Sequence, residues 1–527
     1  MKRVIGFVAG AVILFSCNNS ESTRLESVEY DTTYQAAQFE DPSRMDKIRQ
    51  VLPVIDSIFK SYADSNHLPG VAYGLVVDGQ LIHSGNIGYT DIANKIPVTS
   101  ASMFRIASMS KSFTCMAILK LRDEGKLDLD DPAYLYIPEL KNLKYPTADA
   151  PHITIRHLMT HGAGFPEDNP WGDRQLADND KDLMEFIGKQ ITFSNPPGIA
   201  YEYSNLGFAL QGKIITKVSG MPYQEYIRKN ILVPLGMTTT TYEFADVDSN
   251  KLAHGYRWLN NQWNEETLLH DTKDGSWGAM GAMITSIEEF SKYMAIHIAA
   301  WPASNAKDDG PVKRSSVREM HHPWRWNGFN PNYTFPDGRT CAVTSAYCYG
   351  LGWLKDCDGK TYVSHSGGLP GFGSQWRIMP EYGIGIVSFA NRTYSPMGYV
   401  NLKVLDTIIK LAQLQPMQLP PSKILEQRKN ELMKILPDWN VSDEQRGIFA
   451  ENFFPDYPID SLRKESRELF NKAGRIIAVK SVKPENQLRG SFLIEGEKGR
   501  IEVYFTLSPE NPPLIQAFEI MEALKKF

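Results

Sequence analysis

Strand-like residues gather in two stretches of this chain that lie far apart, and a sheet that must use both is the tightest constraint on its fold. The early stretch is a hairpin signal: Gly70-Val-Ala-Tyr-Gly-Leu-Val-Val, the turn dipeptide Asp78-Gly79, then Leu81-Ile-His-Ser-Gly85. The late stretch holds four runs, at residues 349–354, 361–366, 375–379 and 384–390. Helices and loops fill most of residues 107–330 between them. Helical periodicity marks residues 43–65, through Ile48, Val51, Leu52, Ile55, Ile58 and Phe59, and again residues 398–414. Strands at both ends with helices between predict a single α/β unit, whose sheet closes only when the late strands reach the early hairpin.

Pro416-Met-Gln-Leu-Pro-Pro421 is a stiff break, and residues 416–425 read as a linker. Residues 426–527 read as a small α+β module. Ser442-Asp-Glu-Gln445 fits a capping box, and residues 459–472 form a charged amphipathic stretch. Strand-like runs follow at 475–481, 490–495, 500–507 and 514–520. By pattern alone this order resembles NTF2-like or cystatin-like folds. No internal repeat stands out.

The other end of the chain sets a compartment. Lys2 and Arg3 precede an apolar run at residues 4–15, too short to span a bilayer and of the right length for a secretory signal. It ends in Leu14-Phe15-Ser16-Cys17, which resembles a bacterial lipobox with Cys17 as the lipid-modified residue. The expectation is a signal peptide at 1–16 and a polar, lipid-anchored tether at 17–42. The protein would then sit on the bacterial cell envelope, facing the periplasm or the surface, with the membrane reached through the lipid on Cys17. Of the 527 residues, 42% are apolar and 22% charged, which excludes wholesale disorder and a multi-span membrane protein. Acids outnumber bases, 61 to 56, and no basic run occurs, so no nucleic-acid partner is expected. Apart from Cys17, Cys115 lies in an apolar helix and reads as packing. Cys341, Cys348 and Cys357 permit one disulfide whose pairing the spacing leaves open. Without a C-x-x-C pair or a suitably spaced histidine pair, no metal site is expected, and no cofactor fingerprint stands out.

Three short motifs carry chemistry. Ser108-Met-Ser-Lys111 is an S-x-x-K motif at the start of an apolar helix. A serine in the first turn meets a field that favours developing negative charge, and the i, i+3 offset brings the lysine amine to the same face. A lysine among apolar neighbours has its pKa lowered and can relay a proton. The same spacing recurs at Ser57–Lys60, Ser304–Lys307 and Ser461–Lys464, but only Ser108 has an extended segment before it and an apolar helix after it. The second motif is Tyr203-Ser-Asn205: a phenol near an amine can act as base and then acid, and an amide can hold both lysine and substrate. Its recurrence at Tyr399–Asn401 reads as a helix surface. The third is His365-Ser-Gly367-Gly368 in a strand, which can offer a main-chain N–H opposite that of Ser108 as a two-donor oxyanion hole. His83-Ser-Gly85, in the first hairpin, reads as structural.

In this order the motifs resemble the β-lactamase-related serine hydrolases: class C β-lactamases, serine DD-peptidases and their esterase relatives. Accessory phrases agree, among them His157-Leu-Met-Thr-His-Gly-Ala-Gly, Pro234-Leu-Gly-Met237, Trp277-Gly-Ala-Met-Gly-Ala-Met and Tyr349-Gly-Leu-Gly-Trp353. The resemblance covers about residues 43–415. It implies a class C β-lactamase/DD-peptidase-like fold, α+β in detail, with an antiparallel sheet flanked by helices. It further implies Ser108 as nucleophile, Lys111 as proton relay, Tyr203 as general base and Asn205 as substrate positioner. Oxyanion N–H groups come from Ser108 and Gly368. No E-x-x-L-N stretch provides a separate deacylating base, which favours the tyrosine route.

His365 stands where the commoner residue is lysine. A histidine is mostly neutral near pH 7 and does not attract a carboxylate as lysine does, which turns the expectation from strong β-lactamase activity towards esterase or peptidase chemistry. Arg392, after Phe389-Ala-Asn391, is the candidate carboxylate binder, with a solvent-facing arginine as the alternative. Trp277 is a candidate substrate contact, with Phe165, Trp171 and Trp353 as other rim candidates; core packing competes for Trp277 and Trp353. His157 and His161 lack the Glu of a zinc motif and read as structural, and His321-His322 as surface. No G-x-S-x-G elbow occurs. The expected function is hydrolysis of a small amide or ester, of peptide, D-amino-acid or ester type, on a small-molecule or peptide substrate. The alternatives are a β-lactamase proper and a non-catalytic binder or sensor that keeps the fold.

Overall fold

The computed structural model describes residues 29–267 and 275–523. The signal, the lipobox with Cys17 and the start of the tether lie outside the described residues. Residues 1–34 separate from residues 35–527 as a unit of their own, and the fold below is that of the latter. No helix among the described residues is long and apolar enough to cross a membrane.

Helix α1 (Arg44–Ser65) buries Ile48, Val51, Ile55 and Phe59 on one stripe, as its periodicity requires. Strands β1 (Gly70–Val77) and β2 (Gln80–Asp91) form the expected hairpin, with β3 (Ile96–Pro97) at the outer edge. Helices α2 (Ser110–Asp123), α3 (Asn205–Ser219) and α4 (Ile287–Ala299) occupy the middle of the chain. A meander of β4 (Arg325–Thr334), β5 (Thr340–Tyr347), β6 (Gly352–Asp356), β7 (Thr361–Leu369), β8 (Phe372–Met379) and β9 (Ile384–Ala390) follows. Helix α5 (Met397–Leu411) comes next. β9 pairs antiparallel with β1, from Val71 opposite Ala390 to Val77 opposite Ile384, and this closes a nine-stranded sheet in the order β3-β2-β1-β9-β8-β7-β6-β5-β4.

The closure follows from burial. Every residue of β1 and β9 is buried, so both strands are apolar on both faces. Val71, Tyr73, Leu75 and Val77 face a core shared with α1 and α5, while Ala72 and Val76 face the larger core of α2, α3 and α4. At Gly74 a β-carbon would lie 2.6 Å from Ile287 Cγ2, so the glycine is what lets α4 approach the sheet.

Three strands of this sheet escaped the sequence reading: the two-residue β3, β4 and β5. β4 is polar and mostly exposed at the sheet edge, and β5 lies in a stretch without clean alternation, so neither carries the apolar period that marks a half-buried strand. β6 begins at Gly352 rather than 349, because the chain turns at Gly350 with φ +66°. The disulfide joins Cys341 to Cys357, tying the start of β5 to the turn after β6; Cys348 and Cys115 are free and buried.

Beyond the prolines, α6 (Lys423–Ile435) begins inside the stretch expected as linker. Ser442 and Gln445 form the expected capping box, and α7 (Ile459–Ala473) precedes a five-stranded sheet of β10 (Ile476–Val479), β11 (Lys483–Asn486), β12 (Arg489–Gly496), β13 (Arg500–Leu507) and β14 (Ile515–Glu522). The unanticipated member is β11, a short edge strand that contains Pro484. This segment has its own core, with Leu425, Trp439, Phe453, Phe492, Ile501 and Phe518 buried together.

Candidate active site

The site is built on a turn that is held from several sides. Ala107 has φ +50°, a left-handed conformation that costs a non-glycine residue energy. Around it, the Ile106 N–H donates to the Met283 carbonyl at 3.0 Å, and the Ser374 hydroxyl donates to the Ile106 carbonyl at 2.7 Å. The Ser110 hydroxyl donates to the Ala107 carbonyl at 2.7 Å. Strand β7 presses on the same turn: a β-carbon on Gly367 would lie 2.2 Å from the Ile106 oxygen, so only glycine fits. The result is a one-turn 3₁₀ segment, Ala107–Met109, that runs into α2 and presents the Ser108 side chain.

Lys111, one turn on, is fully buried. Its Nζ lies 2.9 Å from Ser108 Oγ, 2.7 Å from Asn205 Oδ1 and 2.8 Å from the Met280 carbonyl oxygen. Asn205 Nδ2 donates to Asn169 Oδ1 at 2.7 Å, which turns the amide oxygen towards the amine. Burial pulls the Lys111 pKa down to about 7, against the opposing pull of the Asp168 and Asp173 carboxylates. A neutral amine has two N–H bonds and one lone pair. With Asn205 and Met280 taking the two N–H bonds, the lone pair is left for the Ser108 hydroxyl.

Tyr203 completes the cluster: its hydroxyl donates to Ser108 Oγ at 2.8 Å. Burial holds the phenol well above its ordinary pKa, so it is a proton donor at rest rather than a phenolate. At rest the phenol keeps its proton because desolvation outweighs any help from the amine, whose own pKa is about 7. Behind the Tyr203 ring, His161 packs at 4.3 Å between centroids, and its Nδ1 accepts the Ser204 N–H at 3.0 Å.

The Tyr-Ser-Asn motif straddles a helix start. Ser204 is the N-cap of α3, accepting the Gly207 N–H, and Asn205 is its first residue. Asp168 anchors this end. Its carboxylate accepts the Asn205 N–H at 2.7 Å, the Leu206 N–H at 2.9 Å and the Ser204 hydroxyl at 3.4 Å. Asp168 carries no motif signal in the sequence; its neighbourhood Glu167-Asp168-Asn169 reads as a polar loop.

The cluster opens into a cleft of about 700 Å³, lined among others by Ser108, Tyr203, Tyr347, Trp353, His365, Gly368 and Tyr394. His365 is on its wall but uncharged: burial first, then Lys111, lower its pKa to about 3. Its Nδ1 lies 2.6 Å from the Ser366 carbonyl and its Nε2 lies 2.9 Å from the Tyr347 hydroxyl, so the ring carries its proton on Nδ1 and accepts at Nε2. β6 pairs with β7 only over Thr361 to Ser364, whereas β8 pairs as far as Leu369. One edge of β7 from His365 onward is therefore unpaired, and it faces the cleft. At Gly368 a β-carbon would lie 2.9 Å from the Tyr394 ring, whose hydroxyl donates to Asp173 at 2.9 Å.

Two expected substrate contacts are not in the cleft. Arg392 Nη1 donates to the Asn66 carbonyl at 2.5 Å, because the residue pairs with Tyr256 and turns towards the C-terminal end of α1, where a cation meets unpaired carbonyls. Trp277 is 1% exposed and packs on Trp171 and Phe186; its short helical turn offers the Met280 carbonyl to Lys111 and points the indole into the core. Phe165 is also core, while Trp353 does line the cleft. The decoys stay apart from it: Lys60 pairs with Asp64, Lys307 with Asp309, and His83 with Asp56. His157 completes a capping box with Thr154. His321, expected on the surface, is buried against His297.

A family model described as Beta-lactamase matches residues 55–407. Protein flp of Staphylococcus aureus (strain NCTC 8325 / PS 47) is 28% identical over 341 residues, which cover 64% of this chain and 62% of that protein. This chain thus spans less than two thirds of that relative. Penicillin-binding protein 4* of Bacillus subtilis (strain 168) is 25% identical over 335 residues, 60% of this chain and 67% of its own. Among solved structures, the octameric penicillin-binding protein homologue from Pyrococcus abyssi aligns with a TM-score of 0.56 at 22% identity, covering 87% of this chain and 94% of that one. A penicillin-binding protein from Bacillus halodurans aligns with a TM-score of 0.53 at 22% identity, covering 67% and 98%. At such identity the two structures speak for the fold alone.

Proposed function

This chain belongs to the Beta-lactamase family, and from that premise we propose that it is a serine hydrolase cleaving a small amide or ester through an acyl intermediate on Ser108. One observation carries the reading: Ser108 Oγ lies 2.9 Å from a buried amine and 2.8 Å from a partly buried phenol, contributed by distant parts of the chain. A mere binding protein has no need to hold a half-neutral lysine against a serine hydroxyl.

In acylation the lone pair of Lys111 takes the Ser108 proton while Oγ bonds to the substrate carbonyl carbon. The main-chain N–H groups of Ser108 and Gly368, both on the cleft wall, receive the carbonyl oxygen. Tyr203 donates its proton to the leaving amine or alcohol and recovers one from Lys111, so the pair ends neutral. In deacylation the same pair takes a proton from water, which attacks the acyl carbon, and returns it to Ser108. The uncharged His365 supports substrates without a carboxylate beside the scissile bond, hence ester or peptide chemistry before β-lactams. The test is labelling by a fluorophosphonate or penicillin probe. Ser108→Ala is expected to abolish it, and Tyr203→Phe to cost about 10²–10⁴ in the rate of p-nitrophenyl ester hydrolysis. Undiminished labelling of Ser108→Ala overturns the assignment.

A further inference from the structure

The cleft continues past the unpaired edge of β7 to the face of the sheet that carries α5. There it is walled by Ser364, Arg377, Gly398, Tyr399 and Leu354. Arg377 is the only Lys or Arg among the described residues that line the cleft. It stands on β8 opposite Ser364, its Nε is buried without a partner, and no hydrogen bond or ion pair engages its guanidinium among the described residues. The nearby acid is Asp406, but Asp406 accepts the Tyr362 hydroxyl at 3.1 Å, and the Tyr362 ring itself lies 5.7 Å from the Arg377 guanidinium carbon. A guanidinium keeps its charge in any protein and presents a planar fork that matches a carboxylate. A half-buried arginine that the Asp406 carboxylate influences but does not pair with is costly, and here it borders an open cleft. The first turn of α5, whose Gly398 and Tyr399 border the same recess, adds the positive end of a helix.

We infer that Arg377 is a specificity-determining residue, which receives a carboxylate carried by an extended, peptide-like substrate. The inference rests on the hydrolase reading above and adds the class of substrate. Ser364 and Gly368 are four residues apart on one strand, about 13 Å at ~3.3 Å per residue. A substrate added along the free edge of β7 at Gly368 meets the start of β6 at Gly352, opposite Ser364, and must turn there onto the face that carries α5, which brings an acidic group to Arg377 about four residues from the scissile carbonyl. The neutral His365 leaves the near end of the cleft without a cation, so the charge on the substrate is read far from the bond that breaks.

The experiment compares extended peptide substrates that carry Glu or Gln at two to five residues from the scissile bond, on either side. For the wild-type enzyme kcat/KM is expected to favour Glu by about tenfold or more at one position, and to lose that preference as salt rises. In Arg377→Met the Glu substrate is expected to fall to the rate of the Gln substrate, with p-nitrophenyl acetate turnover unchanged; Arg377→Lys keeps part of the preference. Titrating the same peptides into Ser108→Ala gives a readout that needs no turnover. Tighter binding of the Glu peptide that vanishes in Ser108→Ala/Arg377→Met supports the role of Arg377 even if the chemistry differs from the hydrolase reading. No preference for Glu at any position, or one that survives Arg377→Met, overturns the inference. Loss of p-nitrophenyl acetate turnover in Ser108→Ala tests the hydrolase reading separately.

Discussion

At the scale of single residues, the proposed chemistry turns on the protonation of one amine. Lys111 is an effective base only without its proton, and burial sets its pKa near 7. The expected kcat/KM for an uncharged ester therefore rises as pH increases through about 7 and levels off above it, since His365 is already neutral over this range. A profile flat between pH 6 and 8 counts against Lys111 as the base. Ser108, Lys111 and Tyr203 were visible as motif members, because the offset within S-x-x-K is a helix-turn distance that sequence spacing encodes. Which of the two groups gives up its proton more readily was not visible. It depends on how far each is desolvated, and burial comes from residues scattered over the chain.

At the scale of elements, the start of α3 is where structure and chemistry meet. Asp168 holds the first N–H groups of the helix, and so holds Asn205 against Lys111. Asp168→Asn is expected to cost about 1–2 kcal/mol of stability, the range for losing a charged helix cap, and to lower ester turnover as well. A purely structural cap lowers the melting temperature and leaves the midpoint of the pH profile in place; a positioning residue moves that midpoint too. The elements themselves were read with uneven success for a physical reason. β1 and β9 are buried and strongly apolar, so their residue types announce them, whereas β4 is an exposed edge strand held by main-chain bonds that leave no apolar period. Trp277 failed for the opposite reason: an aromatic in a motif-rich segment looks the same in sequence whether it faces a cleft or a core.

At the scale of the whole molecule, every residue lining the cleft lies between Ser108 and Tyr399, and the segment from α6 onward has a core of its own. A chain ending at Gln415 is therefore expected to keep its ester kinetics within about twofold, and residues 422–527 alone to show a cooperative melt. Circular dichroism and steady-state kinetics check the two halves; a large loss of kcat in the shortened chain gives the C-terminal segment a part in catalysis. The strand-rich ends and helical middle already demanded a sheet closed late in the chain, and the pairing of β1 with β9 is that closure. From the residues alone came the serine and lysine of one motif, the tyrosine of another and the order of the segments, because local spacing and apolar runs are properties of consecutive residues. Folding decided that Cys341 takes Cys357, that Arg392 turns to a helix end and that Arg377 stands beside the cleft without a hydrogen-bonded acid. Each of these depends on distances between residues remote in sequence, and such distances exist only once the chain has closed on itself.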